Sequence, residues 1–480
     1  MIYLDNFSIG KLSQRTAWVG ASKSVGFLTL FAANIYLART LTQKNFGLYQ
    51  QGWLFIHTFV PILLLGIPQA LSYLLPPASG EKSRQYIHAF FSLLFLTGLA
   101  TCLLTLLLPK FMARVVGNPE LYFLIPVIGL YTFLILPFNL MEPIFILKNR
   151  VRELFLWALF FNLLFLSIIF WGGQIQSLEM IFIALALLAL LKMIIVILRT
   201  LTLYGPGTWH ISFDLWSPLF KYLGILAGIS VVDVLTVEID KYVVSHFLGA
   251  ERYALYSVGA MEIPVLALLI SSVTAVMMPE MTHLLSENKK EEVIRLLHRS
   301  MEKLAIVIFP LCFYCVLTAG FYLPFFFGDR YKASLVVFYI YLVLVPIRVL
   351  NNHPYLISGG LQRYALYARL LDIAINFALG IFLIRRIGLL GPAIATVLAS
   401  YIHKAYQTAI VGKHLGLKLD RIYPWKPFFR ILWRAGLCSL CLGTILHIFG
   451  SSLIPVLIGS VVFAGMYLIL VPRLLKQNQS

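Results

Sequence analysis

Charged residues are scarce in this sequence of 480 residues: Asp, Glu, Lys and Arg together make up 12%, whereas hydrophobic residues make up 60%. Soluble domains usually contain about 25% charged and about 45–50% apolar residues. Acidic residues are especially few, with 20 Asp and Glu against 38 Lys and Arg. The composition is therefore that of a membrane protein rather than of a soluble one.

Long polar segments are missing as well, because apolar runs recur along the whole chain. We predict about 14 transmembrane helices, each near the roughly 20 residues that span a bilayer. They are 17–38, 50–75, 87–108, 121–143, 154–172, 178–198, 218–243, 254–279, 303–322, 335–357, 364–385, 389–411, 431–449 and 452–472. The short loops between them exclude an ATPase with its own nucleotide-binding domain, a large periplasmic catalytic domain and a nucleic-acid-binding protein.

The sequence has no motif of a catalytic or metal centre. HExxH and GxSxG are absent, and the segment from Gly20 to Ser24 lacks the glycine spacing of a phosphate-binding loop. Two CxxC pairs, which begin at Cys312 and Cys438, lie inside apolar runs, where we expect them to serve packing. We therefore predict no cofactor, no metal and a transporter rather than an enzyme.

Basic residues mark the orientation in the membrane. The first apolar run follows Lys11 and Arg15 and is predicted to be a retained helix rather than a cleaved signal. If the amino terminus is cytoplasmic, most basic residues fall in inner segments, above all 148–152, 289–303 and 404–434. We therefore predict that both termini are cytoplasmic and that the basic loops meet anionic membrane lipids.

A weak internal repeat predicts two similar halves. Residues 35–52 align with 242–259, so that Tyr49 falls on Tyr256 and Gly52 on Gly259. Because both copies start on the same side, the repeats would be parallel. The fold prediction is all-α, with two six-helix bundles at 1–200 and 201–415, two additional transmembrane helices in 416–480, and a water-filled cavity between the bundles.

Several charged residues fall inside predicted helices, where a charge is costly and marks a functional site by default. Lys192 lies near a helix end and is interpreted as reaching the interface. The remaining basic residues are candidates for binding an anionic substrate: Lys23, Arg348 and Lys241. The acidic residues are candidates for ion coupling or for ion pairs between helices: Asp233, Glu238, Asp240, Glu262 and Asp372.

Three segments carry a family resemblance. INFALGIFLIRRIGLLGPAIATVLASY (375–401), IDKYVVSHFLGAERYALYSVGAMEIP (239–264) and LARTLTQKNFGLYQ (37–50) resemble polysaccharide-unit flippases. That family belongs to the multidrug/oligosaccharidyl-lipid/polysaccharide exporter superfamily. The resemblance implies a MATE-like transporter of the bacterial cytoplasmic (inner) membrane that moves a polyprenyl-pyrophosphate-linked oligosaccharide by alternating access.

The resemblance also implies partners, namely the lipid-linked anionic glycan, membrane lipids, and the enzymes that build and polymerise the glycan. Two alternatives stay open. A cation-coupled multidrug or small-molecule exporter of the same superfamily would need carboxylates more than buried Lys and Arg. A membrane glycan polymerase or ligase would need a larger outer loop than this sequence offers.

Overall fold

The computed structural model describes residues 9–78, 80–205, 213–261, 263–450 and 452–477. Over these residues the regular structure is helical, and eleven helical segments are long and apolar enough to cross a membrane. The prediction of an all-α, multi-pass membrane protein is confirmed. The other three predicted spans also coincide with helices, which are the first helix, the helix from Leu390 and the shorter apolar segment Ser334–Ile347.

The chain divides into two compact units, Met1–Glu238 with Ser245–Ala254, and Ile239–Val244 with Leu255–Ser480. The predicted boundaries at residues 200 and 415 remain predictions. Nine helices precede the segment that contributes to both units: α1 (Ile9–Thr40), α2 (Gln43–Leu63), α3 (Ile67–Leu74), α4 (Glu81–Leu107), α5 (Pro109–Val115), α6 (Ile125–Ile135), α7 (Met141–Leu147), α8 (Val151–Ile175) and α9 (Leu178–Tyr204).

The segment that contributes to both units is α10 (Phe213–Gly259). The second unit continues with α11 (Pro264–Ser286), α12 (Lys290–Phe327), α13 (Ser334–Leu342), α14 (Leu344–Ile347), α15 (His353–Ser358), α16 (Gln362–Ile387), α17 (Leu390–Leu415), α18 (Leu419–Ile422), α19 (Trp425–Phe449) and α20 (Leu453–Gln477).

Two predicted outer loops are helical instead. The helical structure is interrupted between Thr40, the last residue of α1, and Gln43, the first residue of α2. The Thr42 side chain accepts a hydrogen bond from the Asn45 backbone N–H there and so caps α2. In the aligned repeat the same position is Gly249, whose φ of 72° breaks α10. The loops at 39–49 and 244–253 were predicted because polar residues lower the hydropathy there, but caps and breaks, not hydropathy, end these helices.

A buried polar network explains why Ser245–Ala254 belongs to the first unit. The Asn118 amide donates to Gln51 Oε1 at 2.8 Å, and Gln51 Nε2 donates to Ser245 Oγ at 2.8 Å. Ser245 Oγ in turn donates to the Val116 carbonyl at 2.7 Å. Gly47 allows the close approach, because a Cβ atom there would collide with the Ala250 carbonyl. Hydrogen bonds thus satisfy polar groups that could not be buried alone.

The fourth helix of each half is broken rather than continuous. In the first half, a 3₁₀ turn at Pro137–Leu140 separates α6 from α7. In the second half, the predicted span 335–357 is divided into α13, α14 and α15, with Pro346 near the end of α14 and Pro354 at the start of α15. Proline lacks the N–H that would continue the helix. Arg348 consequently caps a short helix instead of lying inside a continuous one.

Neighbouring helices supply hydrogen bonds to the second of these breaks. The Asn351 amide donates to Thr274 Oγ1 on α11 at 2.9 Å, and the Asn352 amide donates to Thr408 Oγ1 on α17 at 3.2 Å. A broken helix at membrane depth is tolerated only when its polar groups find such partners. Hydrogen bonds to α11 and α17 therefore stabilise the break in the second unit.

Candidate functional site

The first unit contains a small polar pocket beside the break between α6 and α7. Lys23 on α1 forms an ion pair with Glu142 on α7, with 2.9 Å between Nζ and Oε1. Lys192 on α9 lines the same pocket of about 220 Å³. Both members of the ion pair are about half exposed, with 54% and 42% of their side-chain surface accessible. The pocket therefore presents two ammonium groups and one carboxylate.

Lys192 points at aromatic rings in this pocket. Its Nζ lies 5.0 Å from the ring centroid of Phe138 and 5.5 Å from that of Phe161. A ring face attracts a cation within about 6 Å, and the attraction grows when the cation is shielded from water. Lys192 is half-buried in this pocket, and the interpretation that it reaches the membrane interface remains a prediction.

The second unit contains a group of charged residues around Lys404 on α17. The Lys404 ammonium donates to the Leu350 carbonyl at 3.1 Å, at the break between α14 and α15. Arg348, Arg369 and Asp372 are charged neighbours of this ammonium. Three of these four side chains are basic and one is acidic. We call Arg348, Arg369, Asp372 and Lys404 the α17 charge cluster.

Asp372, predicted for ion coupling or pairing, contacts a histidine at the edge of this cluster. Its Oδ2 lies 3.4 Å from Nδ1 of His403, and only 10% and 13% of the two side chains are exposed. Asp372 also acts electrostatically on Arg369. The carboxylate thus lies next to His403 and near Arg369, as expected for a buried acid that needs polar or charged partners.

Lys192 and Lys404 occupy equivalent places in the two halves. The two lysines stand at the same position in the sequence when residues are counted from the start of each helix. The count begins at Leu178 for Lys192 on α9 and at Leu390 for Lys404 on α17. Each lysine contacts the broken fourth helix of its own half, through the Phe138 ring or the Leu350 carbonyl. These equivalent positions are in line with the repeat predicted from residues 35–52 and 242–259, and the repeat itself remains a prediction.

Asp240 is held by two tyrosines of the second unit. The Tyr256 hydroxyl donates to Asp240 Oδ2 at 2.7 Å, and the Tyr341 hydroxyl donates to the same oxygen. The two hydroxyl oxygens are 3.0 Å apart, and Asp240 is 2% exposed. Hydrogen bonds to a carboxylate are among the stronger ones in proteins. This arrangement fixes α13 to the end of α10, the structural role that the sequence left open for Asp240.

The other predicted residues are placed as follows. Asp233 and Glu238 lie on α10 within the first unit, where Glu238 is buried and Asp233 is half-buried. Lys241 is half-buried on the part of α10 that belongs to the second unit. Glu262 lies outside the described residues. A pairing of Glu238 with Lys241, and a cavity shared by Lys23, Arg348 and Lys241, remain predictions.

Four charged or titratable residues of the polar pocket and the α17 charge cluster were not singled out from the sequence: Glu142, Arg369, His403 and Lys404. Glu142 lay at the end of the predicted span 121–143, and Lys404 was assigned to an inner segment although α17 continues to Leu415. Symmetry is the signal that could have found Lys404, because an alignment of the sixth helices of the two halves matches Lys404 with Lys192.

Comparison with known proteins places the chain in a family. Residues 36–336 match the polysaccharide biosynthesis protein family. The chain belongs to this family. A protein named as a putative O-antigen transporter, from Shigella flexneri, is 22% identical over 195 residues, which are 39% of this chain and 44% of that protein. The match thus spans less than half the length of that relative.

Solved structures show which known folds this chain resembles. The lipid II flippase MurJ in its inward closed conformation matches with a TM-score of 0.75 and 15% identity, over 97% of this chain and all of that chain. An inward-facing MATE family multidrug transporter matches with a TM-score of 0.58 and 13% identity, over 81% of this chain and 94% of that chain. These relatives are transporters or flippases, not enzymes, and the fold predicted from the resemblance is confirmed.

Proposed function

We propose that this protein is a flippase that carries a lipid-linked, anionic glycan precursor from the inner to the outer leaflet of the cytoplasmic membrane by alternating access. Membership of the polysaccharide biosynthesis family supports a role in glycan assembly. The likeness to a lipid II flippase and the match to a putative O-antigen transporter support the class of cargo.

The pyrophosphate is the part of such a substrate that is costly to move through a membrane, because it is charged. An anion that leaves water must be compensated by fixed positive charge, and charge-assisted hydrogen bonds from Lys and Arg are suited to phosphate oxygens. The α17 charge cluster supplies Arg348, Arg369 and Lys404 against Asp372. This excess of positive charge inside a membrane helix bundle is the observation that carries the proposal.

The first-unit pocket supports the same reading from a second place in the chain. Lys23 and Lys192 line it together, and Glu142 neutralises one of them. A polyprenyl pyrophosphate could replace the carboxylate at Lys23, since both are anions. Lys241 stays a third candidate for contact with the substrate.

The alternative of a cation-coupled drug exporter is less well supported. A cationic drug needs an accessible carboxylate. Glu142 is about half exposed but is paired with Lys23, whereas Asp240 is enclosed by Tyr256 and Tyr341, and Asp372 lies against His403. These last two acids, together with Asp233 and Glu238, remain candidates for coupling transport to an ion. Glycan-building and glycan-polymerising enzymes are proposed partners, and both termini are proposed to face the cytoplasm.

Surface glycan in a strain that lacks the chromosomal gene tests this function. Wild-type protein is expected to restore the glycan, whereas Arg348→Gln combined with Lys404→Gln is expected to lower it at least tenfold, because two of the cluster's cations are lost. Lys413→Gln is the matched control, since Lys413 is an exposed lysine on the same helix. Immunoblots of membranes check that all variants reach equal levels.

Normal glycan in the double variant at an equal protein level would contradict the proposal that the α17 charge cluster binds the substrate. Accumulation of the lipid-linked precursor on the cytoplasmic side of the double variant would support it. A loss of glycan in both the double variant and the Lys413→Gln control would show that the effect is not specific to the cluster and would equally count against the proposal.

A further inference from the structure

A long apolar groove lies on the first unit, away from the polar pocket. It has a volume of about 640 Å³, in the range of small-molecule sites. Its walls come from α4 and α9, and Phe133 of α6 also lines it. Both α4 and α9 pack on α6. Phe91, Phe95 and Leu99 provide much of the α4 wall, so the groove presents mostly hydrocarbon.

One end of this groove is basic. Arg84 and His88 on α4 line it there, beside Tyr204 at the end of α9. The Lys148 ammonium lies 3.8 Å from the centroid of the Tyr204 ring. Arg84 Nη1 lies 3.9 Å from the position that a Cβ atom on Gly205 would occupy, which places its charge at the carboxyl end of α9. That end of a helix carries partial negative charge and favours a cation.

Bilayer hydrocarbon is as apolar as the groove, so the apolar walls alone give an occupant little preference over the surrounding lipid. Selectivity must come from the basic end. Basic pockets between membrane helices on the cytoplasmic side bind anionic headgroups. Lys82 adds positive charge at the start of α4, and Glu81 beside it adds one negative charge.

We propose that the groove between α4 and α9 binds an anionic glycerophospholipid, with one acyl chain along Phe91, Phe95 and Leu99 and the phosphate at Arg84 and Lys148. The bound lipid fills the gap between α4 and α9. The residues that line this groove include neither Lys23 nor any member of the α17 charge cluster. The test of lipid binding is therefore independent of the test of the proposed transport function.

Native mass spectrometry of the purified full-length protein, with phosphatidylglycerol and phosphatidylcholine of equal chain length added in competition, tests the site. Wild type is expected to retain phosphatidylglycerol preferentially, by about fivefold for each basic residue that faces the headgroup. Arg84→Gln combined with Lys148→Gln is expected to abolish the preference. Lys110→Gln combined with Arg114→Gln removes two exposed basic residues of α5, just beyond the opposite end of α4, and is expected to keep it.

A second variant tests the groove without changing charge. Ser92→Phe places a ring among the lining residues and is expected to lower retention of either phospholipid. An equal preference for phosphatidylglycerol in both double variants would overturn the proposal. Retention of undecaprenyl phosphate in place of phosphatidylglycerol would assign the groove to the carrier lipid, and a stable dimer that buries it would assign it to a second copy; either result would overturn the proposal.

Discussion

Lys23 and Glu142 form a 2.9 Å ion pair between α1 and α7 of the first unit. A half-exposed pair of this kind contributes about 0–1 kcal/mol to stability, so its main significance is not structural. Lys192 lines the same pocket and brings a second positive charge. We propose that an anionic substrate replaces Glu142 as the partner of Lys23.

Replacing Glu142 with Gln should strengthen substrate binding. The carboxylate competes with the substrate phosphate for Lys23, and a half-exposed ion pair contributes about 0–1 kcal/mol. We expect Glu142→Gln to tighten binding of a polyprenyl-pyrophosphate oligosaccharide by up to about fivefold, the equivalent of about 1 kcal/mol. Lys23→Met should weaken it by a similar factor. Microscale thermophoresis of the purified variants measures both.

The control for this pair is Lys44 with Glu120, an ion pair of 2.8 Å whose members are also about half exposed. Glu120→Gln should leave the affinity unchanged, because that pair lies outside the polar pocket. If Glu142→Gln and Glu120→Gln had the same effect on binding, Glu142 would not be the competitor that we infer.

The two equivalent lysines should act on transport in the same direction. Lys192→Met and Lys404→Met each remove a cation beside the break in the fourth helix of its own half. We expect each to reduce the rate of surface glycan export several-fold and the combination to reduce it further. Lys413→Met, on the exposed face of α17, should export at the wild-type rate. Wild-type export by the double variant would refute the role of the equivalent lysines.

Tyr256 and Tyr341 should stabilise the second unit through Asp240. Removing one hydroxyl leaves a buried carboxylate short of a donor, which costs about 1–3 kcal/mol. We therefore expect Tyr256→Phe and Tyr341→Phe each to lower the melting temperature in detergent, as followed by intrinsic fluorescence. Tyr339→Phe, at a more exposed tyrosine of the same helix α13, is the control. Melting temperatures that agree across all three variants would show that the hydroxyls do not stabilise the fold.

Gly47 should tolerate no side chain. An added methyl would collide with the Ala250 carbonyl, and overpacking of this kind costs about 1–3 kcal/mol. Gly20→Ala is the matched substitution, because a Cβ there meets nothing within 4 Å and the helix gains about 0.8–1 kcal/mol of propensity. Thermal unfolding should rank Gly47→Ala below wild type and Gly20→Ala at or above it. The reverse order would contradict the close packing of Gly47 on Ala250.

The sequence predicted the helices well because a bilayer requires long apolar runs, and such runs are visible without a structure. It predicted their ends less well. The Thr42 cap and the Gly249 break decide where α1 and α10 are interrupted, and neither changes the mean hydropathy of a window. For the same reason, hydropathy did not reveal that the predicted span around Pro346 is divided into short helices, since these helices remain apolar.

The site was only partly predictable for a related reason. Lys23, Arg348 and Asp372 stood out because they are charges within apolar runs. Glu142 and Lys404 did not, because their depth depends on helix ends that hydropathy leaves uncertain by several residues. Pairing a charge with its partner requires knowing that Lys23 on α1 meets Glu142 on α7, or how α17 packs on the broken helix, which is long-range information that one sequence lacks.

Flipping by the purified protein tests the central claim most directly. Proteoliposomes would contain a fluorescent polyprenyl-pyrophosphate oligosaccharide, and dithionite quenching would report how much of it is carried across the bilayer. We predict rapid exchange with wild type and with Lys413→Gln, and exchange at the rate of empty liposomes with Arg348→Gln combined with Lys404→Gln. Equal exchange by wild type and this double variant would contradict the claim that the α17 charge cluster carries the anionic headgroup.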